Sequence, residues 1–135
     1  MTGTVSSTWQ DDVIRAARGI RRRVLEHTVK NNGGYLSQAC SSAEILAALY
    51  LNILNMGPVA KPLVPPRFPG VPGGGNASYR TGADFHGDKA PERDRFYLSP
   101  SQYSLVLYAA LIEAGRMDES GLAEFNRDGG VVEMI

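Results

Sequence analysis

Apolar or small side chains recur at three- and four-residue steps through Trp9, Val13, Ala17, Ile20, Val24 and Thr28. That spacing makes one face of a helix and predicts an amphipathic element running to about Lys30. Arg15, Arg18 and Arg22 fall on the opposite face. Ser7 is a candidate N-cap, with Gln10 three residues later in the position that completes a capping box. Asn31-Asn32-Gly33-Gly34 then stops the helix, because Asn and Gly accept the left-handed conformation of a C-cap. Ser41-Ser42-Ala43-Glu44 predicts the opening of a second helix, in which the Glu44 carboxylate would accept a bond from the Ser41 backbone N–H. Ile45, Leu46, Leu49 and Ile53, with alanines between them, make this helix apolar on most sides and predict burial on several faces.

The pattern breaks over about 57–90, where six prolines from Pro58 to Pro72 and the run Gly73-Gly74-Gly75 replace periodic apolar positions. Proline removes backbone donors and fixes φ, so this stretch predicts a long loop, functional or mobile, with no core element. Phe96-Tyr97-Leu98 predicts a short buried strand. Ser99-Pro100-Ser101 turns into a third helix whose Leu105, Leu107, Tyr108, Leu111 and Ile112 give it a broad apolar surface, ended by Gly115. A short fourth helix over 118–125 carries acids in its first turn, which suits the helix dipole. Val131-Val132-Glu133-Met134-Ile135 is an apolar run without a polar tail, so the expectation is a fragment, or the ordered part, of a longer subunit.

Composition narrows the function classes. Fourteen basic residues balance fourteen acidic ones, which removes the bulk electrostatic case for a nucleic-acid or anionic-membrane partner. Arg21-Arg22-Arg23 accordingly reads as a solvated face. A single cysteine, Cys40, permits no intrachain disulfide, and no signal-peptide pattern or membrane-length apolar run is present. The expectation is a cytoplasmic chain without a membrane partner. Asp84, His86, Asp88 and Lys89 match no metal-site template and read as solvated loop charge, so no metal ligand is assigned. The helix starts after Tyr35 and after Gln102 are the places where backbone N–H groups could face an anion. On the residues alone, ordinary N-capping by Ser99 or Ser101 explains the second.

Two segments carry a family resemblance. Gly33-Gly34-Tyr35-Leu36-Ser37-Gln38-Ala39-Cys40-Ser41-Ser42-Ala43-Glu44, followed by Ile45-Leu46, and Asp94-Arg95-Phe96-Tyr97-Leu98-Ser99-Pro100-Ser101-Gln102-Tyr103-Ser104 resemble the two helix-preceding motifs of the transketolase family. In an ungapped alignment the family's two cofactor-site histidines fall on Tyr35 and Gln102. The first segment is also similar to a stretch of the homodimeric pyruvate dehydrogenases, again with Tyr35 in place of the histidine.

The resemblance implies an α/β fold over 8–135, the N-terminal part of a thiamine diphosphate-binding domain. Such a domain has a parallel sheet flanked by helices, with this chain mostly helical and 57–90 an insertion. It implies an enzyme, a thiamine diphosphate-dependent transferase moving a two-carbon ketol unit between sugars or sugar phosphates, or acting on another small carbonyl substrate. The cofactor supplies the electron-sink chemistry, and Mg2+ or Ca2+ accompanies it on ligands outside this chain. The active form would be a homo- or hetero-oligomer with a subunit carrying the pyrimidine-binding domain. Carried over by position, Tyr35 would face substrate, and Ser37, Ser101 and Gln102 would bind the cofactor. Gln102 can donate to a phosphate oxygen but cannot become cationic, and the Tyr35 phenol is a weaker proton shuttle than imidazole near neutrality. Three other readings are a 2-oxoacid-decarboxylating enzyme on the same fold, a non-catalytic paralogue that kept the scaffold, and a small interaction module with a proline-rich arm.

Overall fold

The computed structural model describes residues 7–66, 75 and 85–126. Helix α1 spans Trp9–Asn31, α2 spans Leu36–Ala48 and continues as a π turn over Leu49–Ile53, and α3 spans Ser104–Glu113. Two 3-10 segments, Ser101–Tyr103 and Glu119–Glu124, flank α3. The apolar run 131–135 and the loop stretches 67–74 and 76–84 lie outside the described residues.

Helix α1 starts one residue later than its sequence predicts. Thr8, not Ser7, is the N-cap: its hydroxyl accepts from the Asp11 N–H at 3.3 Å, while the Asp11 carboxylate accepts from the Thr8 N–H at 3.0 Å. An aspartate at this position closes the box and also sets a negative charge against the helix dipole, which Gln10 cannot do. Trp9 consequently sits before the buried face and is 53% exposed, whereas Val13, Ala16, Ala17, Ile20 and Val24 are buried. Asn32 ends the helix in the left-handed conformation, φ 50°.

The second helix departs further. It begins at Leu36 with Tyr35 as N-cap, so Ser41 and Ser42 lie inside it and donate back to the Gln38 carbonyl at 3.1 and 2.7 Å. Glu44 caps nothing; it accepts from both terminal nitrogens of Arg21 on α1, at 2.6 and 2.5 Å. This two-pronged bond outcompetes a local cap because a charged fork meets a carboxylate in matching geometry. The buried stripe is Ala39, Ala43, Leu46 and Ala47, and its three alanines let α1 and α2 approach closely. Ile45 and Ile53, expected inside, are each 62% exposed.

Helix α3 forms the centre: every residue from Ser104 to Ile112 is buried. A helix apolar all round needs covering on all sides, and α1, α2 and the chain after Gly115 supply that cover. Gly19 is part of the arrangement, since a Cβ there would fall on the carboxyl of Glu113. That carboxylate instead accepts from Arg23 Nε at 2.6 Å, tying α1 to the end of α3.

Phe96-Tyr97-Leu98 forms no strand. Phe96 and Leu98 pack partly buried against the core, and Tyr97 is 88% exposed. No neighbouring segment among the described residues offers it a ladder. A parallel bridge pairs Leu63 with Met117, with Leu63 N–H donating to the Arg116 carbonyl and Asp118 N–H to the Leu63 carbonyl, both at 2.9 Å. Both described ends of the proline-rich stretch are thus anchored, since Phe85, 5% exposed, enters the core.

Candidate functional site

Tyr35 occupies the residue just before α2, at φ 79° and ψ 4°. A side-chain-bearing residue in this region is strained, and such strain concentrates at sites where geometry is imposed from outside the local sequence. The ring is half-buried and packs against the core cluster. Tyr35 makes no side-chain cap bond to the helix behind it, and the first turn of α2 carries no acidic residue. Ser37, in that first turn, is exposed and donates to Gln38 Oε1 at 2.9 Å.

Ser101 and Gln102 lie in the 3-10 turn that feeds α3. The Ser101 carbonyl accepts from the buried Ser104 hydroxyl at 2.6 Å, which pins the turn to the helix and leaves the Gln102 side chain exposed. The two motifs come together through residues that sequence reasoning did not single out: Ser41 Oγ on α2 lies 3.5 Å from the Tyr103 hydroxyl, with either as donor. The second turn of α2 and the residue before α3 therefore lie next to one another. The Gln102 amide and the Ser101 hydroxyl are donors of the kind that suits the oxygens of a diphosphate, whereas the Ser37 hydroxyl already donates to Gln38. Among the described residues no group of three or more His, Cys, Asp or Glu side chains gathers.

A second polar cluster sits at the opposite end of α3. Tyr50, brought inward by the π turn and 7% exposed, shares a 2.5 Å hydrogen bond with His86 Nε2. The imidazole stacks on Phe96 with ring centroids 6.3 Å apart. His86 is therefore a packed residue, not the solvated loop charge its surroundings suggest, while Asp88 makes an ion pair with Arg93 at 3.1 Å. Burial pushes the Tyr50 phenol well above its ordinary pKa, so it stays neutral. Arg116, 8% exposed, donates through Nη2 to the Gly57 carbonyl at 2.6 Å. No sequence signal marks this cluster, because the Tyr50–His86 link closes across the aperiodic proline and glycine stretch.

Among the described residues no helix is long and apolar enough to cross a membrane. No family model and no solved structure matches the chain. The chain is similar to a protein of Sinorhizobium fredii named as an uncharacterized transketolase family protein, 30% identical over 118 residues. The match takes in 87% of this chain and 33% of that protein, so the chain spans about a third of the relative's length. This similarity supports the transketolase family.

Proposed function

We propose that the chain supplies the diphosphate-facing part of an α/β, transketolase-like enzyme that uses thiamine diphosphate and transfers a two-carbon ketol unit between sugars or sugar phosphates. The observation that supports it most is the approach of Ser41, in the second turn of α2, to Tyr103, just before α3, at 3.5 Å, which brings the family's two motifs next to each other in a chain similar to a transketolase family protein. The cofactor, when bound, supplies the electron sink. In this reading the exposed Gln102 amide donates to a diphosphate oxygen as a neutral group, Ser101 and Ser37 offer hydroxyls beside it, and the Tyr35 phenol donates to the substrate. The metal ion takes its ligands from sequence outside this chain, and a subunit with the pyrimidine-binding domain completes the site.

The test is titration of thiamine diphosphate with magnesium into the chain assembled with that subunit, alongside a ketol-transfer assay. Gln102→Ala should weaken cofactor affinity by about 0.5–1.5 kcal/mol, the scale of one neutral hydrogen bond. Tyr35→Phe should lower turnover with cofactor affinity nearly intact. Unchanged affinity in Gln102→Ala together with unchanged turnover in Tyr35→Phe would remove both residues from the site and favour a scaffold without catalysis.

A further inference from the structure

We propose that Arg116 anchors a second binding site, for the oxyanion of a phosphate- or carboxylate-bearing small molecule, at the carboxyl-terminal end of α3. The argument starts from an unbalanced charge. Arg116 is 8% exposed, and its Nη1 is fully enclosed with no hydrogen-bond partner among the described residues. Its one described bond, from Nη2 to the Gly57 carbonyl, satisfies a donor but supplies no countercharge. The ion pairs among the described residues involve Arg15, Arg21, Arg22, Arg23 and Arg93, none of them Arg116. A buried cation without a counter-ion is among the costliest arrangements a protein can hold, and the cost falls when an anion binds it.

The neighbours fit that role. Tyr50 is the group whose charge would act on Arg116, yet its own burial raises its pKa and keeps it neutral. It therefore leaves the guanidinium uncompensated and remains tied to His86. The wall beside Nη1 is glycine. Gly87, exposed and at φ 91°, holds a conformation that side-chain-bearing residues rarely adopt. A Cβ added to it would stand 3.5 Å from Nη1 and collide with the Met56 carbonyl. Gly57, at φ 73°, has its carbonyl bound to Nη2, and a Cβ there would meet the guanidinium of Arg93, which is itself paired with Asp88. Neither glycine sets a side chain of its own against the guanidinium, and glycine is the residue that lets a ligand approach backbone closely. A planar guanidinium with a free prong suits a phosphate or carboxylate oxygen in particular.

The site lies at the opposite end of α3 from Gln102, and α3 alone, ten residues at a rise of about 1.5 Å each, is about 15 Å long, so it stands or falls independently of the cofactor reading. The experiment titrates the purified chain with sodium phosphate in one arm and sodium acetate in the other, ionic strength held constant with chloride. Thermal unfolding and the amide resonances of Gly57 and Gly87 are both followed. A saturable rise in Tm, with saturable shifts of those two amides, supports the site, and the arm that saturates at lower concentration identifies the oxyanion class. Arg116→Gln should abolish both responses. Arg116→Lys, which keeps a charge but loses the fork, should weaken binding about tenfold or more. Amide shifts in the native chain that fail to saturate in either arm would overturn the proposal even if the variants do not fold. An equal Tm rise in Arg116→Gln would overturn it too.

Discussion

Replacing Gly19 by Ala in the middle of α1 should destabilise this protein, although the same change in an ordinary helix stabilises it. A helix-interior glycine costs about 1 kcal/mol relative to alanine. Here, however, the new Cβ would fall on the Glu113 carboxyl. That carboxyl is the end of a flexible side chain and can swing away, so the cost is not a backbone clash but the loss of its bond to Arg23, 2.6 Å long between side chains 20% and 18% exposed. A charge-assisted bond of this kind contributes about 1.5–3 kcal/mol. Taking about 2 kcal/mol for the bond and subtracting the propensity gain leaves a net loss of about 1 kcal/mol. For a chain of this size that is roughly 3–5 °C in Tm. Arg23 also approaches Glu119 at 3.6 Å, but that carboxylate is 77% exposed and too well solvated to take over.

The diagnostic is a double-mutant cycle read by urea denaturation. Glu113→Ala removes the obstacle, so Gly19→Ala in that background should stabilise by about 1 kcal/mol. The sign of one substitution thus reverses with the identity of a residue 94 positions away, from Gly19 to Glu113. Stabilisation by Gly19→Ala in both backgrounds would refute the packing of Glu113 over α1.

Two further outcomes follow from single contacts. Hydrogen bonds from Arg21 hold the Glu44 carboxyl below its ordinary pKa, so its stabilising contribution is present above the unfolded-state value and is lost as pH falls through the lower folded-state value. Glu44→Gln should therefore flatten the acid limb of the stability curve below about pH 4.5, and an unchanged limb would mean that Arg21 does not engage it in solution. Thr8→Ala should cost about 1 kcal/mol by removing the α1 cap, which chemical denaturation would detect, whereas Ser7→Ala should be nearly silent; the reverse order would return the cap to Ser7.

What the sequence made legible were the elements whose signals are local. The α1 and α3 periodicities and their stops at Asn32 and Gly115 needed only neighbours along the chain. The start of α2 was misplaced because the Ser-Ser-Ala-Glu signature is local, while the interaction that claims Glu44 comes from Arg21 on another helix. Burial of Ile45 was overestimated for a related reason: periodicity reports an apolar helix, but which stripe turns inward was decided by the small residues Ala39, Ala43 and Ala47 against α1. In the site, alignment with a family motif singled out Tyr35 and Gln102. Nothing in the residue string announced the strained backbone at Tyr35, the Ser41–Tyr103 contact or the enclosed Arg116, all of which depend on tertiary placement.

Tyr35 follows Gly33 and Gly34, so a third glycine would have been the unstrained choice at φ 79°. A side chain in the left-handed region costs about 1–2 kcal/mol relative to glycine. Half-burying an aromatic ring against the core returns about 1 kcal/mol, roughly half the value for a fully buried large side chain. The two terms nearly cancel. Tyr35→Gly should then unfold within about 1 kcal/mol of the native chain in urea, while Tyr35→Phe, which keeps both strain and packing, should be closer still. If the phenol serves the substrate, both variants lose turnover in the assembled enzyme although neither loses much stability. A loss of more than about 2 kcal/mol on Tyr35→Gly, at the scale of a core truncation, would instead make the ring a structural plug between α2 and its neighbours, and the strain would then be the consequence of packing rather than a mark of function.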